Sequence, residues 1–256
     1  MRARDLGVVI GEHPPGPDNA ITDVAGVRVG HTTLQADGAS AVRTGVTVVV
    51  PHDDIWTEPV FAGSHRLNGS GEMTGLDWIR ESGELTTAIG LTNTHSVGVV
   101  RDELVAAQVR ARGEGLYWSL PVVGETYDGL LNDINGFHVR PDHVRAALDQ
   151  ATDAPPAEGN VGGGTGMICH GFKGGIGTAS RVTDTATGRY TVGVLVQANH
   201  GRRERLRING VAVGELITGD DVPLPQLPDR YEPGSGSIIV VVATDAPLLP
   251  HQCTRL

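Results

Sequence analysis

Gly234-Ser235-Gly236-Ser237-Ile238-Ile239-Val240-Val241-Val242-Ala243 is the stretch on which the reading of this chain turns. A polar, Pro/Gly-rich segment stops at a serine, and six apolar residues begin at once. The run reads as a fully buried strand. Ser237 then stands at the mouth of that strand. If the Gly236–Ser237 bond is opened, Ser237 carries both a hydroxyl and a free α-amine, whose reference pKa is about 7.7–8. One residue would supply nucleophile and base together, the logic of an activated N-terminal nucleophile. Local composition alone also fits an ordinary Gly/Ser loop ahead of a strand.

The rest of the chain alternates strand and helix patterns. Residues 178–182 and 190–198 predict a hairpin. Asn209-Gly210, between residues 206–208 and 211–213, predicts a two-residue hairpin turn. Residues 25–31, 44–50 and 85–91 read as strands, the second ending at Pro51. Residues 73–81 have helical spacing through Met73, Leu76 and Ile79. Residues 101–112 predict an amphipathic helix with Leu104, Val105 and Val109 on one face. Residues 141–151 predict another, with Pro141 in the first turn and Val144, Leu148 and Ala151 as its stripe. Residues 219–236 read as loop. Asp245 is the expected N-cap of a last helix, with Pro247 near its first turn.

The chain has 256 residues, 39% of them hydrophobic, which suffices for one core and one domain over residues 1–256. Aromatics make up only 4% against 36 glycines, so the core must come from Val, Leu, Ile and Ala between tight turns. A net charge of −10 argues against nucleic acid and anionic membranes, which select basic patches. The short cluster Arg202, Arg203, Arg205 and Arg207 reads as a solvated turn or an oligomer contact. Cys169 and Cys253 have no C-x-x-C spacing, so neither a disulfide framework nor a zinc module is expected. The N-terminus lacks the apolar core of a signal peptide and no run approaches transmembrane length, which predicts a soluble, cytoplasmic chain.

The glycines of residues 159–166 with Lys173 resemble a phosphate loop only superficially. A Walker loop needs G-K-[ST], and Lys173 is followed by Gly174. A dinucleotide fingerprint needs a preceding strand, and residues 154–158 are poor strand sequence. These glycines read as sites of tight turning and close backbone approach. His31, His65, His95 and His200 neighbour polar turn residues and read as turn or surface histidines. No H-E-x-x-H or G-x-S-x-G pattern is present.

Leu67-Asn68-Gly69-Ser70-Gly71-Glu72-Met73-Thr74-Gly75, Val123-Gly124-Glu125-Thr126-Tyr127-Asp128-Gly129, residues 159–166, residues 173–181, Val196-Gln197-Ala198-Asn199 and residues 236–249 occur in this order. Together they resemble the L-aminopeptidase/D-esterase family, also called the β-peptidyl aminopeptidase or S58 peptidase family. The resemblance runs from about residue 5 to the last residue.

The resemblance implies an α/β (α+β) protein, a four-layer αββα sandwich of the self-processing N-terminal-nucleophile type. It implies a precursor that cuts itself between Gly236 and Ser237 into an α part, residues 1–236, and the start of a β part, residues 237–256. Ser237 matches the nucleophile. Asn199 matches an asparagine whose amide donates to the oxyanion, and Tyr127 a pocket tyrosine whose hydroxyl donates to the oxyanion or orients the serine. Glu125 matches an acidic pocket residue that would hold the free amine of a substrate. From the residues alone, Asn199 also reads as a turn residue, Tyr127 as a core tyrosine and Glu125 as a solvated carboxylate.

Implied substrates are short peptides, amides or esters with small N-terminal residues, β- or D-residues among them. Neither cofactor nor metal is implied, and family members form homo-oligomers of αβ units. The family's β chain continues further and brings another serine and an acidic residue toward the nucleophile, so the sandwich is expected to be incomplete at its C-terminus. Cys253 and Thr254 also depart from the family's apolar and basic pattern. Two alternatives stand beside this reading: a catalytically inactive remnant, and an acyltransferase of the ornithine acetyltransferase kind. The latter uses a threonine at the junction, where this chain has Ser237.

Overall fold

The computed structural model describes residues 2–225 and 236–256. Gly234, Ser235 and most of the proline-rich stretch before them lie outside the described residues.

The apolar run ending at Pro51 forms the centre of the first sheet. Strands β1 (Arg28–Ala36), β2 (Val42–Val50), β3 (Ile89–Asn93) and β4 (Val122–Thr126) lie side by side in that order. The first three are antiparallel, and β3 and β4 are parallel. A parallel pair needs a crossover, and helix packing provides it. Helix α1 (Leu76–Ser82) precedes β3, α2 (Val97–Arg112) makes the β3–β4 crossover, and α3 (Pro141–Asp149) follows β4. Pro141 occupies the first turn of α3, as expected.

Two expectations shift here. The strand expected over 85–91 divides: Glu84–Leu85 pairs with Val60–Phe61, and β3 starts only at Ile89. Helix α2 begins at Val97, four residues early, so its buried stripe is Val97, Val100 and Leu104. Val109, expected on that stripe, is 47% exposed.

The second sheet has the order β7-β6-β5, all antiparallel, from β5 (Gly175–Thr185), β6 (Gly188–Asn199) and β7 (Ser237–Thr244). The predicted hairpin is the β5–β6 pair. Between the two sheets lie Val29, Val49, Leu91, Ile176, Leu195 and Ile239, with Ile21 and Val24 sealing one end. On the other side of the first sheet, Val46, Val48 and Val123 pack against Val100, Leu104 and Val144 of the helices. Strand β2 is therefore covered on both faces, its even residues toward the helices and Val49 toward the second sheet. Burying each such valine contributes about 1.5–3 kcal/mol.

Strand β7 differs from the fully buried strand expected. Ile239 is buried, but Ile238, Val240 and Val242 are 38%, 50% and 45% exposed. The alternation has a direct cause: the helices of the described residues cover the first sheet only, so one face of β7 meets the core and the other is open. The layers run helix, sheet, sheet, in the order of the αββα expectation, with the fourth side open among the described residues.

Asn209 and Gly210 both adopt positive φ (49° and 83°), and Ile208 and Val211 bridge across them as predicted. The chain then enters a short helix, α4 (Val213–Leu216), instead of a second strand. The last helix, α5 (Pro250–Cys253), starts after Leu249 rather than after Asp245. Asp245 is diverted: its Oδ1 accepts the Thr191 N–H at 2.7 Å at the sheet edge. No helix among the described residues is long and apolar enough to cross a membrane.

Candidate active site

Strand register brings the serine to its partner. Ser237, the first residue of β7, pairs with Asn199, the last of β6. The Asn199 side chain is buried, and its Nδ2 donates to Ser237 Oγ at 3.1 Å and to the Tyr127 carbonyl at 2.8 Å. Its Oδ1 accepts the Ile168 N–H at 3.0 Å. A carbonyl on one side and an N–H on the other fix which end of the amide faces the serine. Asn199 thus closes a strand and does not make a turn.

A second donor comes from the first sheet, where the chain leaves β4. The Tyr127 backbone N–H donates to Ser237 Oγ at 3.2 Å. The Tyr127 hydroxyl, expected to act on the serine, is instead folded over Gly129, and the ring is 44% exposed. Tyr127 is therefore not a core tyrosine, and it reaches Ser237 through the main chain.

Glu125 stands two residues earlier, within β4. It is buried rather than solvated. Its Oε1 accepts the Glu72 N–H at 3.1 Å and its Oε2 accepts the Thr94 hydroxyl. The segment carrying Glu72 is fastened to β4 by Thr74, whose N–H donates to the Val123 carbonyl and whose Oγ1 accepts the Val123 N–H, both at 3.0 Å. Two motifs some fifty residues apart in sequence, 67–75 and 123–129, thus form one wall.

Gly236, on the other side of the junction, lies against His200. A Cβ at residue 236 would stand 2.9 Å from both Cα and Cβ of His200, so the position has room only for glycine. The glycine-rich segment is also structural. Gly162–Gly164 form a buried single turn between the sheets, and a Cβ on Gly163 would stand 2.5 Å from the Leu91 carbonyl. Its N–H groups are taken by protein hydroxyls: Gly162 donates to Thr33 Oγ1 at 2.8 Å and Gly163 to Thr47 Oγ1 at 3.1 Å.

Several polar residues of the site region were not legible beforehand. Asp128 is fully buried, its Oδ1 accepting from Asn132 Nδ2 at 3.1 Å and its Oδ2 from Asn93 Nδ2 at 3.0 Å. Burial pushes its carboxyl up, while hydrogen bonds from Thr44, Asn132 and Asn93 pull it back. It anchors the peptide unit whose carbonyl holds Asn199. Gln197 is fully buried on β6 and ties the sheets together, donating to the Thr92 carbonyl at 3.1 Å and to Thr126 Oγ1 at 2.7 Å.

Two of the histidines expected at turns or the surface are elsewhere. His31 lies within β1 with a ring nitrogen 2.9 Å from Thr47 Oγ1, and burial pushes its pKa down to about 4. The alternation Val27, Val29, His31 was the signal for an inward position. His200 is half-buried at the end of β6, beside His170 and Cys169, and burial and then His170 push its pKa down. Burial pushes the Cys169 thiol up, partly offset by a hydrogen bond from the His200 backbone. His65 and His95 are exposed, as expected. Arg203, placed in a solvated or contact turn, is buried. Its guanidinium donates to the carbonyls of Gly171 at 2.6 Å and Val222 at 2.5 Å and lies over the Phe172 ring.

Comparison with known proteins places this geometry among relatives. The sequence profile of peptidase family S58 matches residues 19–256. Beta-peptidyl aminopeptidase BapA of Sphingosinicella microcystinivorans is 52% identical over 268 residues, covering 100% of this chain and 67% of the relative. BapA of Sphingosinicella xenopeptidilytica is 50% identical, covering 100% and 66%. The chain thus spans about two thirds of the length of these curated relatives. Among solved structures, a beta-aminopeptidase of Burkholderia sp. superposes with a TM-score of 0.89 at 58% identity, over 100% of this chain and 69% of the other. The L-aminopeptidase D-Ala-esterase/amidase of Ochrobactrum anthropi, described as a prototype of the serine aminopeptidases and a variant of the Ntn hydrolase fold, gives 0.87 at 46% identity, over 99% and 70%.

Proposed function

Because the chain belongs to peptidase family S58, we propose that it is a self-processing serine aminopeptidase of that family with Ser237 as nucleophile. The observation that carries this reading is the pair of N–H donors converging on Ser237 Oγ, from Asn199 Nδ2 at 3.1 Å and from the Tyr127 backbone at 3.2 Å. A surface serine ahead of a strand has no need of two such donors. Once Oγ bonds to a carbonyl carbon, the oxyanion forms on that carbon beside Oγ, where these donors are proposed to reach it, and one donor of this kind supplies about 3–4 kcal/mol of transition-state stabilisation.

In the first reaction, Ser237 Oγ attacks the Gly236 carbonyl carbon. The Gly236–Ser237 C–N bond breaks, the proton passes to the departing nitrogen, and an ester on Oγ results. Water hydrolyses the ester, leaving a carboxylate on Gly236 and a free amine on Ser237. That amine, with a reference pKa of about 7.7–8, then serves as base for the same hydroxyl. In turnover, Oγ attacks the carbonyl of a short peptide, amide or ester, the substrate C–N or C–O bond breaks, the amine or alcohol leaves with the proton taken from Oγ, and water hydrolyses the acyl-enzyme to free acid and Ser237 hydroxyl. Glu125 is the group proposed to hold the substrate's free ammonium, since its carboxylate is buried two residues before Tyr127, whose N–H meets Ser237 Oγ. Small N-terminal residues, β- and D-residues included, are the proposed substrate class, and homo-oligomeric αβ units the proposed assembly. The open outer face of β7 favours a second reading, in which turnover needs a covering layer beyond the described residues.

The testing experiment is the denatured intact mass of the freshly made chain. Two species, one ending at Gly236 and one starting at Ser237, are expected, with a single full-length species for Ser237→Ala. A wild-type chain that stays full length for days in native buffer would overturn self-processing.

A further inference from the structure

Cys169, His170 and His200 come together beside the junction, and nothing in the proposed chemistry uses them. One ligand atom from each, the thiol sulfur and a ring nitrogen of either histidine, lie within 4.8 Å of one another. We propose that these three residues form a binding site for a borderline-soft divalent ion, of which Zn2+ is the type.

Four features support it. First, the donor set is one sulfur and two imidazoles, which suits Zn2+ or Co2+ and not Mg2+ or Ca2+. Metal–sulfur and metal–nitrogen bonds of about 2.3 and 2.0–2.1 Å set tetrahedral ligand atoms about 3.3–3.6 Å apart, so binding would draw the three atoms together. Second, His170 Nδ1 is 3.0 Å from the Arg202 carbonyl. Donation there leaves Nε2 with its lone pair outward, the usual support of a ligating histidine. Third, His200 Nδ1 is buried without a hydrogen-bond partner among the described residues. Fourth, the turn that carries His170 is held in place beside His200. His170 and Gly171 have φ of 50° and 71° and turn the chain between Ile168–Cys169 and Phe172–Lys173. Arg203 clamps the turn through the Gly171 carbonyl, and the His170 N–H donates to the His200 carbonyl at 2.8 Å.

On binding, the sulfur–metal bond forms as the thiol proton leaves to solvent. The ion would tie the Ile168–Cys169 segment to the end of β6, two segments already joined by the Ile168 N–H on Asn199 Oδ1. Cysteine spacing in the sequence gives no hint of this site, because the adjacent Cys169 and His170 meet His200 only in the fold.

The test is a titration of the full, tag-free chain with Co2+, followed by absorption. One equivalent is expected to produce a thiolate-to-cobalt charge-transfer band and the intense visible bands of a tetrahedral ion, both erased by Zn2+. Cys253→Ser should retain them. Cys169→Ser should lose the charge-transfer band. His170→Asn, in which asparagine tolerates the left-handed backbone, should weaken binding by about tenfold or more with an unchanged circular dichroism spectrum. No charge-transfer band in the unmodified chain overturns the proposal. So does a band that vanishes with Cys253→Ser, or one that survives both Cys169→Ser and His170→Asn.

Discussion

Residues 46–50 of β2 and 238–242 of β7 are both runs of β-branched residues, yet they sit in different surroundings. The first run is covered on both faces, by helices and by the second sheet. The second is covered on one face only among the described residues, and Ile238, Val240 and Val242 are 38–50% exposed on the other. An apolar run therefore announces a strand, whereas its coverage depends on which layers the rest of the chain supplies. The site gathers where the two kinds of sheet meet. Ser237 and Asn199 come from the half-covered sheet, Tyr127 and Glu125 from the doubly covered one.

This contrast can be broken, starting with its largest consequence. Ser237→Ala should abolish cleavage at the junction while leaving thermal unfolding nearly unchanged, because the hydroxyl serves chemistry and not the core. Intact mass and calorimetry together check it, and a cleaved alanine variant would remove Ser237 as the nucleophile. Asn199→Ala should slow cleavage by about a hundredfold or more, the effect of losing one oxyanion donor. A time course of intact mass reads it, and wild-type speed would leave Asn199 merely structural.

The doubly covered sheet should show its own sensitivity, to acid. The pKa of His31 in the fold is about 4, below the ordinary 6.5. The unfolded chain therefore binds the proton first as pH drops. Stability is full above about pH 6.5, is lost as pH falls toward 4, and is lost completely below that, by at most about 3 kcal/mol. Urea midpoints at pH 7 and 4.5 should differ less in His31→Gln than in the parent chain; equal differences would place the acid sensitivity elsewhere.

The smallest and most direct comparison sets Val48→Ala against Val240→Ala. The first should cost about 2–3 kcal/mol through lost burial and a residual cavity. The second should stay within about 0.5 kcal/mol, since Val240 is half exposed. Equal costs would mean that the outer face of β7 is covered in solution.

Much of the fold was readable because it rests on local pattern. The hairpin of β5 and β6, the helix at Pro141 and the turn at Asn209-Gly210 each follow from side-chain period or turn chemistry within a few residues. Errors arose where a distant partner intervened. Asp245 has the makings of an N-cap, but the Thr191 amide claims it. Val109 fits a helical stripe, but the stripe that packs begins at Val97. Arg203 looks like a surface charge, but the carbonyls of Gly171 and Val222 draw it inside.

For the site, the sequence by itself determined the junction, the serine at the start of a strand and, by resemblance, the residues Asn199, Tyr127 and Glu125. Only the tertiary structure decided how they are arranged. It turns the Tyr127 backbone N–H toward Ser237, buries Glu125 under the Glu72 amide, and buries Asp128 next to Tyr127. The physical reason is separation along the chain. Tyr127 and Ser237 are 110 residues apart, and Asn199 and Ser237 are 38 apart. Residue periodicity carries no information over such distances. Strand register and the packing of one sheet on another set which N–H meets which oxygen.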